Sequence, residues 1–480
     1  MRKKLKNLLQ GIEPENPEHL LELSEVYKYL PRGIIKGIII VLISMIISLV
    51  LYNILPYEET ANKGLAILVF VAVLWFTEAV HITITALMIP ILGVVVGLPD
   101  FTIQKGLSSF ADPIIFLFFG GFALASALHV QKLDKKIAAW IISLSGSDLR
   151  IATLGIFSVT AFLSMWISNT ATTAMMLPLA LGLTSHLDVK KDRNTFVFIL
   201  LGIAYSASIG GMGTLVGSPP NAIAAKYLNI DFTGWMKYGF PIMMVLMPLL
   251  LGAMYLILRP DLKQKITIQS EDIPWSTTRI LTLIVFVLTA FAWILGTTIE
   301  KSFGIKSPDT FVAVSTTVAV VLLGLVSWKQ VSDNTDWGVL FLFGGGIALS
   351  SLLKDSGASL ALGKQVAETF GSTSPFLMIF IVASFIIFWT EFTSNTASAA
   401  LLVPVVASIA SQTGLPEEIL VLIIGLGASC AFMLPVATPP NAIVFGTGLI
   451  KQKEMVRIGI VLNIISILVV SLWGYFFLLE

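Results

Sequence analysis

The segment Trp389–Val405, WTEFTSNTASAALLVPV, lies in a long apolar stretch, yet its centre reads Thr, Glu, Phe, Thr, Ser, Asn, Thr. An earlier segment, Met165–Ala180, MWISNTATTAMMLPLA, carries the same Ser-Asn-Thr triplet followed at the same distance by a proline. The two belong to apolar runs, residues 151–184 and 375–411, that are too long for one spanning helix of about 20 residues. Irregular backbone is tolerated at membrane depth only where protein or a water-filled cavity satisfies it. The two runs therefore read as re-entrant hairpins with SNT at their tips.

The composition agrees with a membrane setting. Of 480 residues, 56% are hydrophobic and only 12% charged, with a mean hydropathy of +0.89. A soluble domain carries about 25% charged residues, so the chain reads as an all-α polytopic membrane protein embedded in a lipid bilayer. A net charge of +1 offers no basic field for nucleic acid. The single cysteine, Cys430, excludes an intramolecular disulfide and any multi-cysteine metal cluster, and reads as a small buried apolar residue. The charged N-terminal stretch, residues 1–32, lacks a signal-type apolar region and reads as a short cytoplasmic cap.

Most other apolar segments fit one spanning helix each. Two of them, 195–228 and 417–448, are interrupted by GGMGTLVGSPPN and MLPVATPPN. Gly and Pro at this density break a helix, so these read as helices unwound at mid-membrane. The expected architecture is eleven transmembrane helices plus two re-entrant hairpins. With the N-terminus cytoplasmic and the C-terminus extracellular, 22 of the 30 Lys and Arg residues fall on the inside, among them Arg2, Lys135, Lys190 and Lys451. That asymmetry follows the positive-inside rule and supports this orientation, with the cytoplasmic membrane as the expected location.

The halves repeat. Ser168-Asn169-Thr170 matches Ser394-Asn395-Thr396 at an offset of 226, and GGFALAS from Gly120 matches GGIALSS from Gly345 at 225. SPPNAI from Ser218 matches TPPNAI from Thr438 at 220. With the first hairpin entering from inside and the second from outside, the repeats are inverted, a plan that places the substrate of secondary transporters at the midplane. Each half then divides into scaffold helices (33–130 and 277–354) and transport elements (131–258 and 355–480), joined by a cytoplasmic linker at 259–276.

Each tip supplies two hydroxyls, an amide and free backbone N–H groups at the start of the next helix, a place that favours anions. Two facing tips would hold a dicarboxylate, one carboxylate each. The mid-span regions contain no obvious Lys or Arg, so a dianion there needs a co-bound cation. Ser164 and Thr390, four residues before the SNT serines, share a face with the tips. With the Asn side-chain oxygens and carbonyls freed by the breaks, they form a hard-oxygen set suited to Na⁺.

Other polar residues read as structural. Thr160 and Thr173 suit bonds back to the helix, and the glycine runs suit close helix packing. Glu391 aligns with Met165, so it stands outside the symmetric chemistry and reads as a cap for loose backbone N–H groups. Glu78 and His81 read as a helix end, and Trp235, Trp275, Trp337 and Trp473 as interfacial anchors. An enzyme would need a nucleophile–base pair or a metal cluster, and neither His81 nor His129 has such a context. A channel would show pore-lining rings repeated about an axis.

The segments ISNTATTAMMLP, TSNTASAALLVP, GTLVGSPPN and PVATPPN resemble the divalent anion/sodium symporter family, the bacterial and animal dicarboxylate transporters, from about Gly33 to the end. The resemblance implies a homodimer working by an elevator mechanism on succinate, malate or fumarate. It implies substrate contacts at Ser168, Asn169, Thr170, Ser394, Asn395, Thr396 and Pro435. It also implies one sodium site from Ser164, Ser168, Asn169 and a carbonyl near Gly213, and another from Thr390, Asn395 and a carbonyl near Met433. Sodium symport is the expected mode; sodium-independent exchange of dicarboxylates, such as malate or succinate against 2-oxoglutarate, is the alternative.

Overall fold

The computed structural model describes residues 32–478 except 145, 147, 186, 265–272 and 371–372. The expected N-terminal cap lies outside the described residues but for Arg32, as does the middle of the 259–276 linker. The described chain is helical, with no strand.

The long run 151–184 breaks where SNT stands, into Leu149–Ser164 and Asn169–Thr184. The run 375–411 likewise forms Pro375–Trp389 and Asn395–Thr413. The next segment in the first half runs from Arg193 to Gly210, tightens into a 3₁₀ turn at Gly211–Gly213, and resumes as Pro219–Leu228. Its counterpart runs from Glu417 to Gly427 and resumes as Pro439–Phe445. In both resumed helices the prolines occupy the first positions, where a missing N–H costs no helical bond.

Among the described residues, nine helices are long and apolar enough to cross a membrane, or ten if the bent pair Gly296–Phe303 and Pro308–Leu322 is one span. The apolar segment at 82–98, one of those read as a single spanning helix, forms only Ile82–Val95. At 1.5 Å per residue its 14 residues reach about 21 Å, short of a hydrocarbon core of about 30 Å. Arg32–Ile54 turns exposed apolar side chains such as Ile46 and Leu49 outward, as a lipid-facing helix does.

The glycine runs knit the halves together. Pro113–Val130 packs on Pro308–Leu322, and Trp337–Asp355 packs on Ile82–Val95. A Cβ on Gly120 would lie 2.5 Å from Ala313 Cβ and 2.6 Å from its carbonyl oxygen. On Gly345 it would lie 2.5 Å from Ala86 Cβ. Small residues thus bring the backbones into direct contact. Trp235 departs from its expected interfacial place: it is fully buried, and its Nε1 donates to Met212 O at 2.9 Å in the first helix break. An indole in mid-protein needs such a partner, and the broken helix supplies it.

Gly120→Val and Gly345→Val are expected to lower the melting temperature of the purified protein sharply or abolish its folded fraction, since backbone must move. Gly182→Ala, which has open space around it, should melt like the parent protein, and equal behaviour of all three would contradict the packing.

Candidate functional site

Both SNT serines cap the helix that follows the break, Asn169–Thr184 and Asn395–Thr413. Ser168 Oγ accepts from Ala171 N at 3.3 Å, and Ser394 Oγ accepts from Ala397 N at 3.4 Å. Asn169 and Asn395 are the first residues of those helices. The tips therefore expose the first N–H groups of a helix, which lack partners within it. Thr170 is exposed at the first tip, whereas Thr396 is buried.

Behind each tip stands the hydroxyl expected from the sequence. Ser164 Oγ lies 2.6 Å from the Asn169 amide and donates to Ala207 O at 2.7 Å. Thr390 Oγ1 donates to Asn395 Oδ1 at 2.5 Å and reaches Ala428 O at 3.3 Å. The carbonyls in contact with these hydroxyls are thus those of Ala207 and Ala428, not those of Gly213 and Met433. Gly213 packs against Met165 and Met243, while Met433 turns its N–H to Glu391 Oε1 at 2.8 Å. Ala207 lies within Arg193–Gly210, where its carbonyl also accepts from Gly211 N.

The Asn169 amide tests whether this set suits a cation. With its oxygen turned toward Ser164, it faces only acceptors. With its nitrogen turned there, it donates to Ser164 Oγ at 2.6 Å, Ala207 O at 3.1 Å and Gly217 O at 3.2 Å. The surrounding shell is therefore all oxygen: one hydroxyl and two carbonyls. It accommodates the amide nitrogen, or a hard cation with the amide oxygen turned inward as a further ligand. The residues fit Na⁺.

The breaks themselves are braced by matching asparagines. Asn221 Nδ2 donates to Gly211 O at 2.8 Å and Thr214 O at 2.7 Å, and Asn441 Nδ2 donates to Ala431 O at 3.1 Å and Leu434 O at 3.0 Å. Thr214 Oγ1 donates to Met165 O, tying the first break to its hairpin. In the second half Glu391 does this work. Its Oε1 accepts from Phe432 N and Met433 N at 2.8 Å each, and its Oε2 accepts from Leu434 N at 2.9 Å. Asn463 Nδ2 adds a bond to Oε1 at 2.7 Å. Glu391 caps loose backbone, as its lack of a repeat partner suggested. Across the halves, Tyr205 Oη donates to Phe432 O at 2.7 Å, and Ser218 and Ser429 hydroxyls meet at 3.2 Å.

Both tips and both resumed helices face one cavity of about 1170 Å³. Its walls include Ser168, Asn169 and Thr170 from the first half and Ser394, Asn395 and Thr396 from the second. Pro435 is buried behind the wall; Val436 and Ala437 line the cavity in its place. Among the described residues, no Lys, Arg or His lines it. The sequence reading missed its acidic members, Glu78, Asp333 and Asp336. Glu78 had read as a helix end, and it does close Glu59–Thr77 in a left-handed conformation, but it also borders the cavity. The Asp336-Trp337 step, a helix N-cap, was the only local signal for the others. Thr160 and Thr173 bond back to Ile156 O and Asn169 O, and Cys430 is buried, as expected.

Apolar helices, two helix starts at the SNT triplets and broken helices around one cavity define a multi-pass membrane transporter. The chain belongs to the divalent anion/sodium symporter family, matching the family described as sodium:sulfate symporter transmembrane region over residues 32–479. It is 54% identical over 453 residues to an uncharacterized transporter of Haemophilus influenzae, covering 93% of this chain and 98% of that one. It is 34% identical over 483 residues to the sodium-dependent dicarboxylate transporter SdcS of Staphylococcus saprophyticus, covering 92% and 91%. In fold it is similar to the YdaH transporter of Alcanivorax borkumensis, with a TM-score of 0.57 at 13% identity over 86% of this chain and 97% of that one.

Removing the Glu391 carboxylate leaves Met433 N, Leu434 N and the Asn463 amide in want of a partner, while Phe432 N keeps Asn463 Oδ1 at 3.3 Å, at about 1–3 kcal/mol for each group that finds none. Glu391→Ala should therefore melt well below the parent protein, and Glu391→Gln, which keeps one acceptor oxygen, should fall between them. A Glu391→Ala variant as stable as the parent would contradict the capping role.

Proposed function

We propose that this protein is a secondary active transporter of C4 dicarboxylates, of the succinate, malate and fumarate type, coupled to sodium in symport. The observation that carries the reading is the cavity, which two polar helix starts line together and where no cationic side chain is present among the described residues. Each carboxylate of the substrate is held by one SNT tip through backbone N–H groups, the Ser and Thr hydroxyls and the Asn amide. The charge these dipoles leave uncompensated is met by sodium in the oxygen shells behind the tips, at Ser164, Asn169 and Ala207 and at Thr390, Asn395 and Ala428. The sodium-dependent dicarboxylate transport named for the Staphylococcus relative supports the same assignment.

Coupling follows from sharing. Asn169 and Asn395 each touch a shell hydroxyl and also line the cavity. A cation that fixes the amide orientation fixes what the tip presents to substrate, so each ligand raises the affinity for the other.

In this reading the repeats are inverted, the N-terminus is cytoplasmic, the C-terminus is extracellular and the protein works in the cell membrane as a homodimer. Segments 33–130 and 277–354 form the scaffold. Segments 131–258 and 355–480 form the transport body, which carries the site across as an elevator. The cavity then opens to the cytoplasm, on the side of Glu78 and Asp336.

Asn169→Ala and Asn395→Ala are each expected to abolish succinate uptake while the protein still inserts and dimerises; near-normal uptake by both would reject the site. In the same assay Thr390→Val should weaken sodium dependence more than Thr393→Val. Thr393 is bonded to Trp389 O and Ser398 rather than to the shell, so equal effects would contradict the cation assignment.

A further inference from the structure

The contacts that tie the segment 219–258 to neighbouring helix ends are unequal between the halves. Lys226 Nζ lies 2.7 Å from Asp112 Oδ2, with the lysine side chain 37% and the aspartate 13% exposed. Asp112 also caps Pro113–Val130, its Oδ1 accepting from Ile114 N at 3.1 Å. Close by in sequence, Asp309 Oδ2 accepts from Phe232 N at 2.7 Å, and Thr233 Oγ1 donates to Ile294 O at 3.1 Å. The Phe232 ring stacks on Trp293 at 5.2 Å. On the proposed division, Lys226, Phe232 and Thr233 ride on the transport body, while Asp112, Trp293, Ile294 and Asp309 stand on the scaffold. All these contacts therefore cross the sliding boundary at the outer ends of their helices.

The second half lacks the charged members. At the offset of 220, Lys226 corresponds to Gly446. Asp309 corresponds to Ile82, since Trp293 Nε1 donates to Asp309 O as Trp75 Nε1 donates to Ile82 O. The cap of the matching glycine-run helix is Asp336, whose Oδ1 accepts from Val339 N at 3.2 Å while the residue borders the cavity. Among the described residues it has no ion-pair partner.

We propose that the Lys226–Asp112 pair, reinforced by the Asp309 bond to the Phe232 amide, is a latch that holds the outer face closed. On the inner face the repeat counterparts of this pair, Asp336 and Gly446, form no ion pair among the described residues, so the carrier rests with its cavity open beside Asp336. This rests on the alternating-access reading above. The repeat supplies reporters for it: Val436 is 80% exposed in the cavity, whereas its partner Val216 is 7% exposed. In the opposite state the two exchange roles.

The test uses full-length protein with Cys430→Ser, carrying either Val216→Cys or Val436→Cys, and follows the rate of maleimide labelling. Asp112→Asn keeps the capping oxygen and removes the charge, and Lys226→Met removes the partner. Each is expected to raise Val216→Cys labelling about threefold to tenfold, the range of a modest ion pair acting on a two-state equilibrium. The exchange Asp112→Lys with Lys226→Asp should return the rate toward that of the parent, and Lys63→Met, which breaks an ion pair within one helix, should leave it unchanged. Unchanged Val216→Cys labelling in both Asp112→Asn and Lys226→Met would overturn the latch. If neither reporter responds to sodium plus succinate even with the latch intact, alternating access itself is refuted.

Discussion

A backbone N–H or C=O at membrane depth has no water to turn to, and each helix break in this protein has to be repaired by side chains. Leaving one such group buried and unpaired costs about 1–3 kcal/mol. Asn221 and Asn441 each bind two carbonyls of their own break, and Glu391 gathers three consecutive N–H groups of the second. Tyr205 joins the breaks by donating to Phe432 O. The unwound stretches become fixed walls, and the hairpin tips are held against them. Much of the polarity at mid-span is structural, and only what remains after this repair can meet a ligand.

What remains is well suited to small anions accompanied by cations. Helix starts give partial positive charge without the desolvation cost of a buried Lys or Arg. The oxygen shells at Ser164 and Thr390 stand one residue's reach behind the tips, with Asn169 and Asn395 bridging shell and cavity. Coupling of two solutes then needs no long pathway.

Much of this was legible in the sequence because the breaks are written in Gly and Pro and appear twice. SNT, the PPN steps and the hydroxyls at Ser164 and Thr390 stand where the repeat placed them. The family is also the one those motifs resemble. The hydroxyl partners were not legible, since every residue carries a carbonyl and only the packing of the helices brings Ala207 O to Ser164 and Ala428 O to Thr390. Pro435 lies behind the wall that Val436 lines for the same reason. Trp235 read as a belt residue from its position near a helix end, but that end folds over the first break and buries the indole on Met212 O. The acidic border at Glu78, Asp333 and Asp336 is drawn from two distant segments, and no local pattern joins them.

The central claim is that sodium and a dicarboxylate are moved together by the site between the tips. The most direct measurement is labelled-succinate uptake into proteoliposomes, with an inward sodium gradient or none, each with an empty lumen or one preloaded with unlabelled dicarboxylate. Accumulation that requires the sodium gradient and ignores preloading is the result this account predicts. Uptake that requires preloading and ignores sodium would contradict it and make the protein an exchanger whose oxygen shells serve another purpose.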